Sequence, residues 1–334
     1  MSFDLLSFGR CSMDLYSKQI GSKFSNIESF SSYIGGSPTN ISVCSQRLGL
    51  KTALLSAIGD DLTGKFIIDK LIKENVSTSN VFIIPNTKTN LVLCGIIPPD
   101  QFPLVFYREK APENKISIAL IEKIHLDAFK ALLMSGTALS ESPCRDAAIH
   151  ISKKAKQKNI PVILDVDFRL VAWKNLEEYS RVIKNYIKIT EILIGTEEEI
   201  LSIFLNKNQE VEIKNDSITQ PKLIGDVKKA IDGIFKMGTK LIILKKGFEG
   251  CVIFENKKKP QKVPSFKVDS INILGAGDAF AAGFIFGYLH GWSTYKSCRL
   301  ANACGAWLVT KNGCCNVAPT FDEISVFINS KGGY

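Results

Sequence analysis

Short runs of apolar residues, rich in branched side chains, recur along the 334-residue chain between stretches with helical spacing. Six of these runs fall at 5–8, 53–58, 132–135, 162–165, 192–194 and 241–244. Continuous apolar runs of this length are typical of strands that are buried on both faces, and their alternation with helices indicates a parallel sheet. The pattern therefore predicts a three-layer α/β sandwich with a central, mostly parallel sheet.

Helix boundaries can be predicted from the residues between these runs. Ser37 and Pro38 are a capping serine followed by a first-turn proline, and Gly49 is a stop signal. These signals place Asn40 in the first turn of a helix. Further helices are predicted over 146–158 and 276–290, the second because its large apolar residues share one face.

Two segments, 11–35 and 89–112, interrupt the alternation. Over 92–97, Val92, Cys94 and Ile96 would face one side of a strand and the residues between them the other, and a Pro98-Pro99-Asp100 turn follows. Such patterns predict strands and turns, so we expect the two segments to form a small β lid over the site. The polar stretch 206–221 is predicted to be a surface loop.

Composition favours an ordered globular protein, because 45% of the residues are hydrophobic and 22% are charged. The nine cysteines are odd in number and scattered, which argues against a disulfide framework or a zinc site. The apolar part of the N-terminal segment is too short for a signal peptide, and no later run is long enough to cross a bilayer. We expect reduced thiols and a cytoplasmic protein with no membrane partner.

The formal net charge of +9 raises the question of nucleic-acid binding. Lysines cluster at 153–158, on the polar face of a predicted helix, and at 257–259, in a predicted hairpin turn. Neither run has the interleaved aromatic residues that would stack on bases. We therefore expect no nucleic-acid partner, and the surplus of positive charge suits an anionic substrate and a nucleotide.

The segment 59–65 matches the phosphate-binding pattern G-x-x-x-x-G-K directly after a predicted strand. Phe66 stands where that loop needs a serine or threonine for magnesium, and Asp60 and Asp61 lie where phosphate oxygens would sit. We therefore favour a turn whose aspartates cap a helix that begins near Leu62.

A second glycine-rich segment has the stronger chemistry. Gly275, Ala276 and Gly277 immediately precede Asp278 at the predicted start of the helix 276–290. Backbone N–H groups at a helix start stabilise negative charge, so these residues would form an anion hole for a phosphoryl group in transfer. Asp278 would accept the proton of an attacking hydroxyl as catalytic base. Taken alone, an aspartate in this position is more simply a first-turn helix acid.

The surrounding sequence resembles the ribokinase, or PfkB, family of carbohydrate kinases. Residues 275–284 are similar to its C-terminal signature, 35–40 to its substrate loop and 59–64 to the turn that follows. The resemblance extends over about 5–319. It implies one ribokinase-like kinase domain over 1–334, with 11–35 and 89–112 as its lid, that transfers the γ-phosphoryl group of ATP to a sugar hydroxyl.

The same resemblance implies a sugar site. Substrate hydroxyls would be held by Asp14, Gly35, Gly36 and Asn40. An ordinary turn is the simpler alternative for the two glycines.

Three further segments resemble family members that act on keto-deoxy sugar acids: 102–108, 165–169 with Trp173, and 313–319. Tyr107, Arg108 and Arg169 are therefore expected at the acid end of the substrate, since a guanidinium fork suits a planar carboxylate. A surface ion pair is the alternative for Arg169.

Nucleotide and metal positions are implied in the same way. The expected nucleotide-binding residues are Thr196, Glu199, Lys246, Gly247, Gly250, Gly275, Gly277 and Asn302. Glu199 would hold Mg²⁺ through water, and a monovalent cation such as K⁺ is the other candidate cofactor. Thr196 stands where the family has asparagine and Ile273 where it has threonine. Thr196 and Glu199 also form the pattern of a helix capping box.

The predicted reaction is ATP- and Mg²⁺-dependent phosphorylation of the terminal hydroxyl of a keto-deoxy sugar acid, 5-dehydro-2-deoxy-D-gluconate. A kinase for 2-keto-3-deoxygluconate or for a ketose such as fructose is the nearest alternative. A sugar-binding regulatory protein that has lost transfer is a more distant one. The resemblance also implies a homodimer formed through the lid.

Overall fold

The computed structural model describes residues 2–98, 101–205 and 223–334. The strands are β1 (Phe3–Phe8), β2 (Ser12–Ser17), β3 (Phe30–Gly35), β4 (Thr52–Gly59), β5 (Ser77–Ile84), β6 (Leu91–Cys94), β7 (Leu104–Tyr107), β8 (Phe129–Ser135), β9 (Val162–Asp165), β10 (Ile192–Thr196), β11 (Leu241–Lys245), β12 (Cys251–Glu255) and β13 (Gln261–Val263). The helices are α1 (Ser37–Arg47), α2 (Leu62–Lys73), α3 (Ile118–Ile121), α4 (Cys144–Gln157), α5 (Leu176–Ile187), α6 (Glu197–Ser202), α7 (Val227–Lys236), α8 (Ala276–Leu289), α9 (Thr294–Val309) and α10 (Phe321–Ser330). The predicted loop 206–221 and the Pro99 and Asp100 of the predicted turn lie outside the described residues.

A nine-stranded sheet with the order β13-β12-β11-β10-β9-β8-β1-β4-β5 forms the centre of the molecule. Seven neighbouring strands from β11 to β5 are parallel, and β12 and β13 add an antiparallel edge. All six predicted apolar runs lie in strands of the parallel part. The predicted fold class is therefore confirmed.

Both faces of this sheet are covered, which explains why its strands are apolar at consecutive positions. In β1, Leu5 belongs to one hydrophobic cluster and Leu6 to the other, because successive side chains point to opposite faces. Helices α1, α8 and α9 pack on the first face, and α4, α5 and α7 on the second. The small residues of α8 allow close packing, since a Cβ added to Gly283 would lie 2.9 Å from the Cα of Ala301 in α9.

A four-stranded sheet with the order β3-β2-β6-β7 lies apart from the large one. Its strands come from the two predicted segments, 11–35 and 89–112, so their β structure is confirmed. Tyr16, Cys94, Ile96 and Phe102 pack with Cys314 beneath this sheet. That contact connects it to the chain just beyond α9.

The segment 59–65 is a strand, turn and helix start rather than a phosphate loop. The side chain of Asp61 accepts a hydrogen bond from the backbone N–H of Gly64 (2.7 Å) and so caps α2. Lys65, the lysine of the apparent motif, forms an exposed ion pair with Asp69. The capping interpretation is therefore confirmed for Asp61.

Other sequence expectations also match the structure. The lysines of 153–158 lie on the outer part of α4 and beyond its end, and 257–259 lie in the turn between β12 and β13. All nine cysteines are buried, free thiols. None of the helices in the described residues is both long and apolar enough to span a membrane.

Candidate active site

The carboxyl ends of several parallel strands meet at one edge of the central sheet. Asp165 ends β9, Thr196 ends β10 and Lys245 ends β11. The strand registers place Thr196 beside Lys245 and Asp165 beside Ile194, two residues before Thr196. The start of α1 reaches the same edge, because the hydroxyl of Ser37 donates a hydrogen bond to Asp165 (3.0 Å). Open α/β sheets bind their ligands outside this edge.

Asp278 lies in the first turn of α8, where its carboxylate is tied to α1. The side-chain amide of Asn40 donates a hydrogen bond to Asp278 Oδ2 (2.8 Å). Burial raises the pKa of Asp278 to about 6, although the hydrogen bond from Asn40 favours the ionised form. The carboxylate is thus ionised at neutral pH, yet basic enough to accept a proton from a reacting hydroxyl.

The three residues before Asp278 shape the start of α8. Gly275 precedes the helix with φ of 78°, and a Cβ there would lie 2.7 Å from Cys314 Sγ, so this position requires glycine. By contrast, a Cβ on Gly277 would have only Lys245 Nζ nearby, at 3.6 Å. The helix start therefore presents its backbone to open space that a lysine ammonium faces.

Lys245 was not among the residues selected from the sequence. Its side chain, 12% exposed, lies 3.2 Å from Asp165 and 3.4 Å from Glu199. Although burial opposes its charge, these carboxylates hold the pKa of Lys245 above its ordinary value. A polar residue at the end of an apolar parallel strand is the signal that identifies it, since such ends border the ligand edge.

The selected neighbour, Lys246, points elsewhere: it pairs with Glu197 at 2.8 Å and is 31% exposed. Gly247 and Gly250, with φ of 57° and 98°, form the turn between β11 and β12. A Cβ on Gly250 would overlap the carbonyl oxygen of Val263, so the glycine is required by the turn itself. Nucleotide contacts by these three residues stay predictions.

Thr196 and Glu199 form the capping box of α6, as the pattern predicted. The backbone N–H of Thr196 donates to Glu199 Oε2 (2.7 Å), and the N–H of Glu199 donates to Thr196 Oγ1 (3.2 Å). The same Glu199 oxygen faces Lys245. Glu199 is thus both a cap and part of the charged edge, while its metal role stays a prediction.

In the small sheet, Asp14 of β2 lies against Gly35 at the end of β3, and Gly36 follows directly. The Ser12 hydroxyl donates to Asp14 Oδ1 (2.6 Å), and a Cβ on Gly35 would overlap the Asp14 carboxyl group. Gly36 has φ of 97°, and a Cβ there would lie 2.5 Å from the carbonyl oxygen of Arg10. Burial raises the pKa of Asp14 to about 6. Close contacts within the chain therefore require both glycines. Substrate contacts by Asp14, Gly35 and Gly36 stay predictions.

Arg108 and Arg169 each contact a buried carboxylate. Arg108 lies 2.7 Å from Glu113, and Arg169 lies 3.2 Å from Asp167. Arg169 shares Asp167 with a third guanidinium, Arg10, which lies 3.8 Å from that carboxylate, and the charge of Arg108 contributes to lowering the pKa of Arg10. The alternative for Arg169 is correct in that it forms an ion pair, but the partner, Asp167, is a buried residue of the site rather than a surface one.

Tyr107 and Asn302 are placed less centrally than their predicted roles suggest. Tyr107 ends β7 and is 57% exposed. Asn302 of α9 donates hydrogen bonds to the carbonyl oxygens of Val263 and Pro264, both at 3.1 Å. Asn302 therefore ties α9 to the edge strand β13, and its position beside an adenine stays a prediction.

Three buried polar atoms at this edge have no hydrogen-bond partner among the described residues: Asn40 Oδ1, Arg10 Nε and Arg108 Nε. Buried polar groups in native proteins are nearly always paired, so these atoms indicate a place for a polar ligand. Together with the open space before Gly277, they fit a polyhydroxylated acceptor and a phosphate donor.

A parallel α/β sheet that brings a carboxylate, a lysine and a helix N-terminus to one edge is suited to phosphoryl transfer to a small molecule. Residues 2–321 match the family described as pfkB family carbohydrate kinase, and the chain belongs to that family. The protein is a carbohydrate kinase.

Individual relatives agree with this assignment. A protein of Clostridium botulinum (strain Eklund 17B / Type B) named 5-dehydro-2-deoxygluconokinase is 30% identical over 332 residues, which are 98% of this chain and 94% of that protein. A fructokinase with bound ATP from Xylella fastidiosa superimposes with a TM-score of 0.84, 18% identity and 99% of each chain covered. A fructokinase double mutant from Vibrio cholerae O395, in a fructose, ADP and potassium ion bound form, superimposes with a TM-score of 0.80, 20% identity and 98% of each chain covered. These two structures show the shared fold.

Proposed function

We propose that this carbohydrate kinase transfers the γ-phosphoryl group of ATP to the terminal hydroxyl of 5-dehydro-2-deoxy-D-gluconate. The observation that carries the transfer step is the hydrogen bond from Asn40 to Asp278 beside the open start of α8. It fixes a buried carboxylate next to a helix start whose backbone at Gly277 faces open space. The base and the anion site are thus adjacent before any ligand arrives.

In the proposed mechanism Asp278 takes the proton of the acceptor hydroxyl as the hydroxyl attacks phosphorus. The N–H group of Gly277 stabilises the charge that develops on the phosphoryl oxygens. The N–H group of Ala276 donates to the carbonyl oxygen of Ile273 (3.2 Å) and would have to leave it to join the anion hole. Lys245, held by Asp165 and Glu199, supplies a positive charge from the strand side. Bound Mg²⁺ would neutralise further phosphate charge, with Glu199 as the residue that holds it through water.

Two observations support a sugar acid as the acceptor. Arg10, Arg108 and Arg169 gather at the lid side, and guanidinium groups suit carboxylates. The relatives of about 30% identity over nearly the whole chain are named 5-dehydro-2-deoxygluconokinase. Both favour the acid over fructose or another neutral ketose, and 2-keto-3-deoxygluconate is the nearest alternative acid.

A substrate panel tests this assignment. Turnover of ATP should be measured with 5-dehydro-2-deoxy-D-gluconate, 2-keto-3-deoxygluconate and fructose at matched concentrations. We expect the highest kcat/KM with the first compound. Faster turnover of fructose than of either acid would contradict the proposal.

We further propose that the whole chain acts as one kinase domain, with the small sheet as a lid and a homodimer formed through it. Exposed Val105 and Tyr107 on the edge strand β7 support this proposal, since an uncovered edge can pair with another chain. K⁺ stays a predicted cofactor, and Ile273 lies beside the site where the family has threonine.

Gly277→Ala should separate catalysis from folding. A methyl group there meets only the Lys245 ammonium at ordinary contact distance, and alanine favours a helix by about 1 kcal/mol over glycine. The melting temperature should therefore stay constant or rise. kcat should fall by at least about tenfold, because the methyl occupies the phosphoryl site. Unchanged kcat would show that no phosphate approaches Gly277.

The pKa of Asp278 predicts the pH dependence of turnover. Burial raises this pKa to about 6, and a base must be deprotonated to accept a proton. We expect kcat/KM to fall as the pH decreases through about 6 and to level off above it. Asn40→Ala removes the hydrogen bond that favours the ionised form, so its acidic limb should lie at higher pH.

Asp14 provides the control, because burial also raises its pKa to about 6. In Asp14→Asn the acidic limb should keep its wild-type position, whatever the loss in substrate binding. If the acidic limb of the kcat/KM profile vanished in Asp14→Asn and did not move in Asn40→Ala, the titrating group would be Asp14 and not Asp278.

A further inference from the structure

Arg10 follows β1 and Gly9, and its side chain is 10% exposed. Its carbonyl oxygen accepts a hydrogen bond from the Thr39 hydroxyl (3.1 Å) in the first turn of α1. The Cγ of Arg10 would lie 3.3 Å from a Cβ on Gly36. Arg10 is thus packed directly against the predicted substrate loop, although no sequence motif selected it.

Arg10 is held less tightly than the two arginines near it. Arg108 has its own carboxylate partner, Glu113, at 2.7 Å. Asp167, in contrast, serves two guanidinium groups: Arg169 at 3.2 Å and Arg10 at 3.8 Å. The carboxylates of Glu199, Asp278 and Asp165 also act on Arg169, whereas Arg10 has Asp167 at the longer distance, so Arg10 is the more weakly held of the two.

The donor groups of Arg10 are also incompletely used. Its Nε is buried without a hydrogen-bond partner in the described part of the chain. Burial lowers the pKa of Arg10. The carboxylates of Asp167 and Asp14 raise it, and the positive charges of Arg108 and Arg169 lower it further. Only Asp167 of these two carboxylates lies within ion-pair distance. A buried guanidinium with an unused donor and one long ion pair can bind a further anionic acceptor.

We infer that Arg10 binds the carboxylate of the sugar acid and so selects acids over neutral sugars. The inference rests on the proposed function and adds a specificity-determining residue to it. A carboxylate beside Arg10 can accept two parallel, charge-assisted hydrogen bonds from Nε and Nη. A neutral sugar forms no charge-assisted pair at this position, which discriminates against it.

The test compares wild type and Arg10→Gln on the acid and on the corresponding ketose in which the carboxylate is reduced to an alcohol. A charge-assisted pair predicts a KM for the acid that is about 10–100-fold higher in the variant. kcat/KM for the neutral ketose should change less than about threefold. Arg10→Lys should lie between wild type and Arg10→Gln for the acid, because it keeps the charge but not the fork.

Arg47→Gln is the matched control. Arg47 is a partly buried arginine paired with Glu74 on the far side of α1 from these groups, so its loss should leave the ratio of acid to ketose turnover unchanged. Calorimetric titration of the acid without ATP adds a readout besides activity. Arg10→Gln should bind the acid correspondingly more weakly while keeping the melting temperature of its unliganded form.

Equal losses on acid and ketose would make Arg10 a structural residue and overturn the inference. So would an unchanged preference for the acid. These outcomes differ from a failure of the proposed function, which would appear in the wild-type enzyme as turnover of neutral sugars only.

Discussion

Asp278→Asn is expected to lower kcat by about 10²–10⁴-fold, the usual share of a general base. The amide has the shape of the carboxylate and can still accept the hydrogen bond from Asn40, but it cannot take up a proton. Steady-state turnover with saturating ATP and sugar acid measures the effect.

The melting temperature of Asp278→Asn should not fall along with its activity. Burial raises the pKa of Asp278, which means that the folded protein disfavours its charge. A neutral isostere should therefore leave the melting temperature unchanged or raise it. Asp60→Asn, at an exposed position in the 59–65 turn, is the control and should change neither quantity. Wild-type kcat in Asp278→Asn would remove the base from the mechanism.

Lys245→Met is the second change with a large expected effect. We expect kcat to fall by about 10²–10³-fold, the loss typical for one group that stabilises transition-state charge. The free energy of unfolding should also fall by about 3–5 kcal/mol, because Asp165 and Glu199 are left buried without their cation. Chemical denaturation and steady-state kinetics measure the two effects separately.

A double variant separates the two roles of this lysine. Adding Glu199→Gln to Lys245→Met removes one of the stranded charges, and the glutamine oxygen can still cap α6. Part of the lost stability should return, but kcat should not. Recovery of kcat together with stability would show that Lys245 acts only by holding the fold.

The large sheet could be predicted because its physical cause lies within each strand. A strand covered on both faces must be apolar at consecutive positions, and 53–58 and 132–135 show this directly. The helix around Asn40 was also predictable, from Pro38 in its first turn. The prediction of Ser37 as its capping serine was wrong, because Gly36 holds the cap position and the Ser37 hydroxyl donates to Asp165 instead. In both cases a few adjacent residues contain the whole signal.

Contacts between distant residues could not be predicted in this way. Asn40 and Asp278 are 238 positions apart, and only the packing of α1 on α8 brings them within hydrogen-bond distance. The choice between Lys245 and Lys246 depends on which side chain the end of β11 turns toward Asp165. A sequence motif marked the turn but not that orientation.

The arginines show the same limit. Arg108 and Arg169 were selected by resemblance, but their partners Glu113 and Asp167 were not. Asp167 has φ of 37°, an uncommon conformation for a residue other than glycine, and it turns the chain so that one carboxylate faces two arginines. Such a shared counterion arises only from the folded geometry.

The central claim is that one edge of the sheet holds the terminal hydroxyl of a sugar acid against Asp278 and its carboxylate against the arginines. A crystal structure with 5-dehydro-2-deoxy-D-gluconate and a non-hydrolysable ATP analogue tests it most directly. We predict the terminal hydroxyl within hydrogen-bond distance of Asp278, the γ-phosphate at Gly277, and the carboxylate at Arg10 and its two neighbours. A carboxylate bound at Gly277, or a terminal hydroxyl remote from Asp278, would contradict the account.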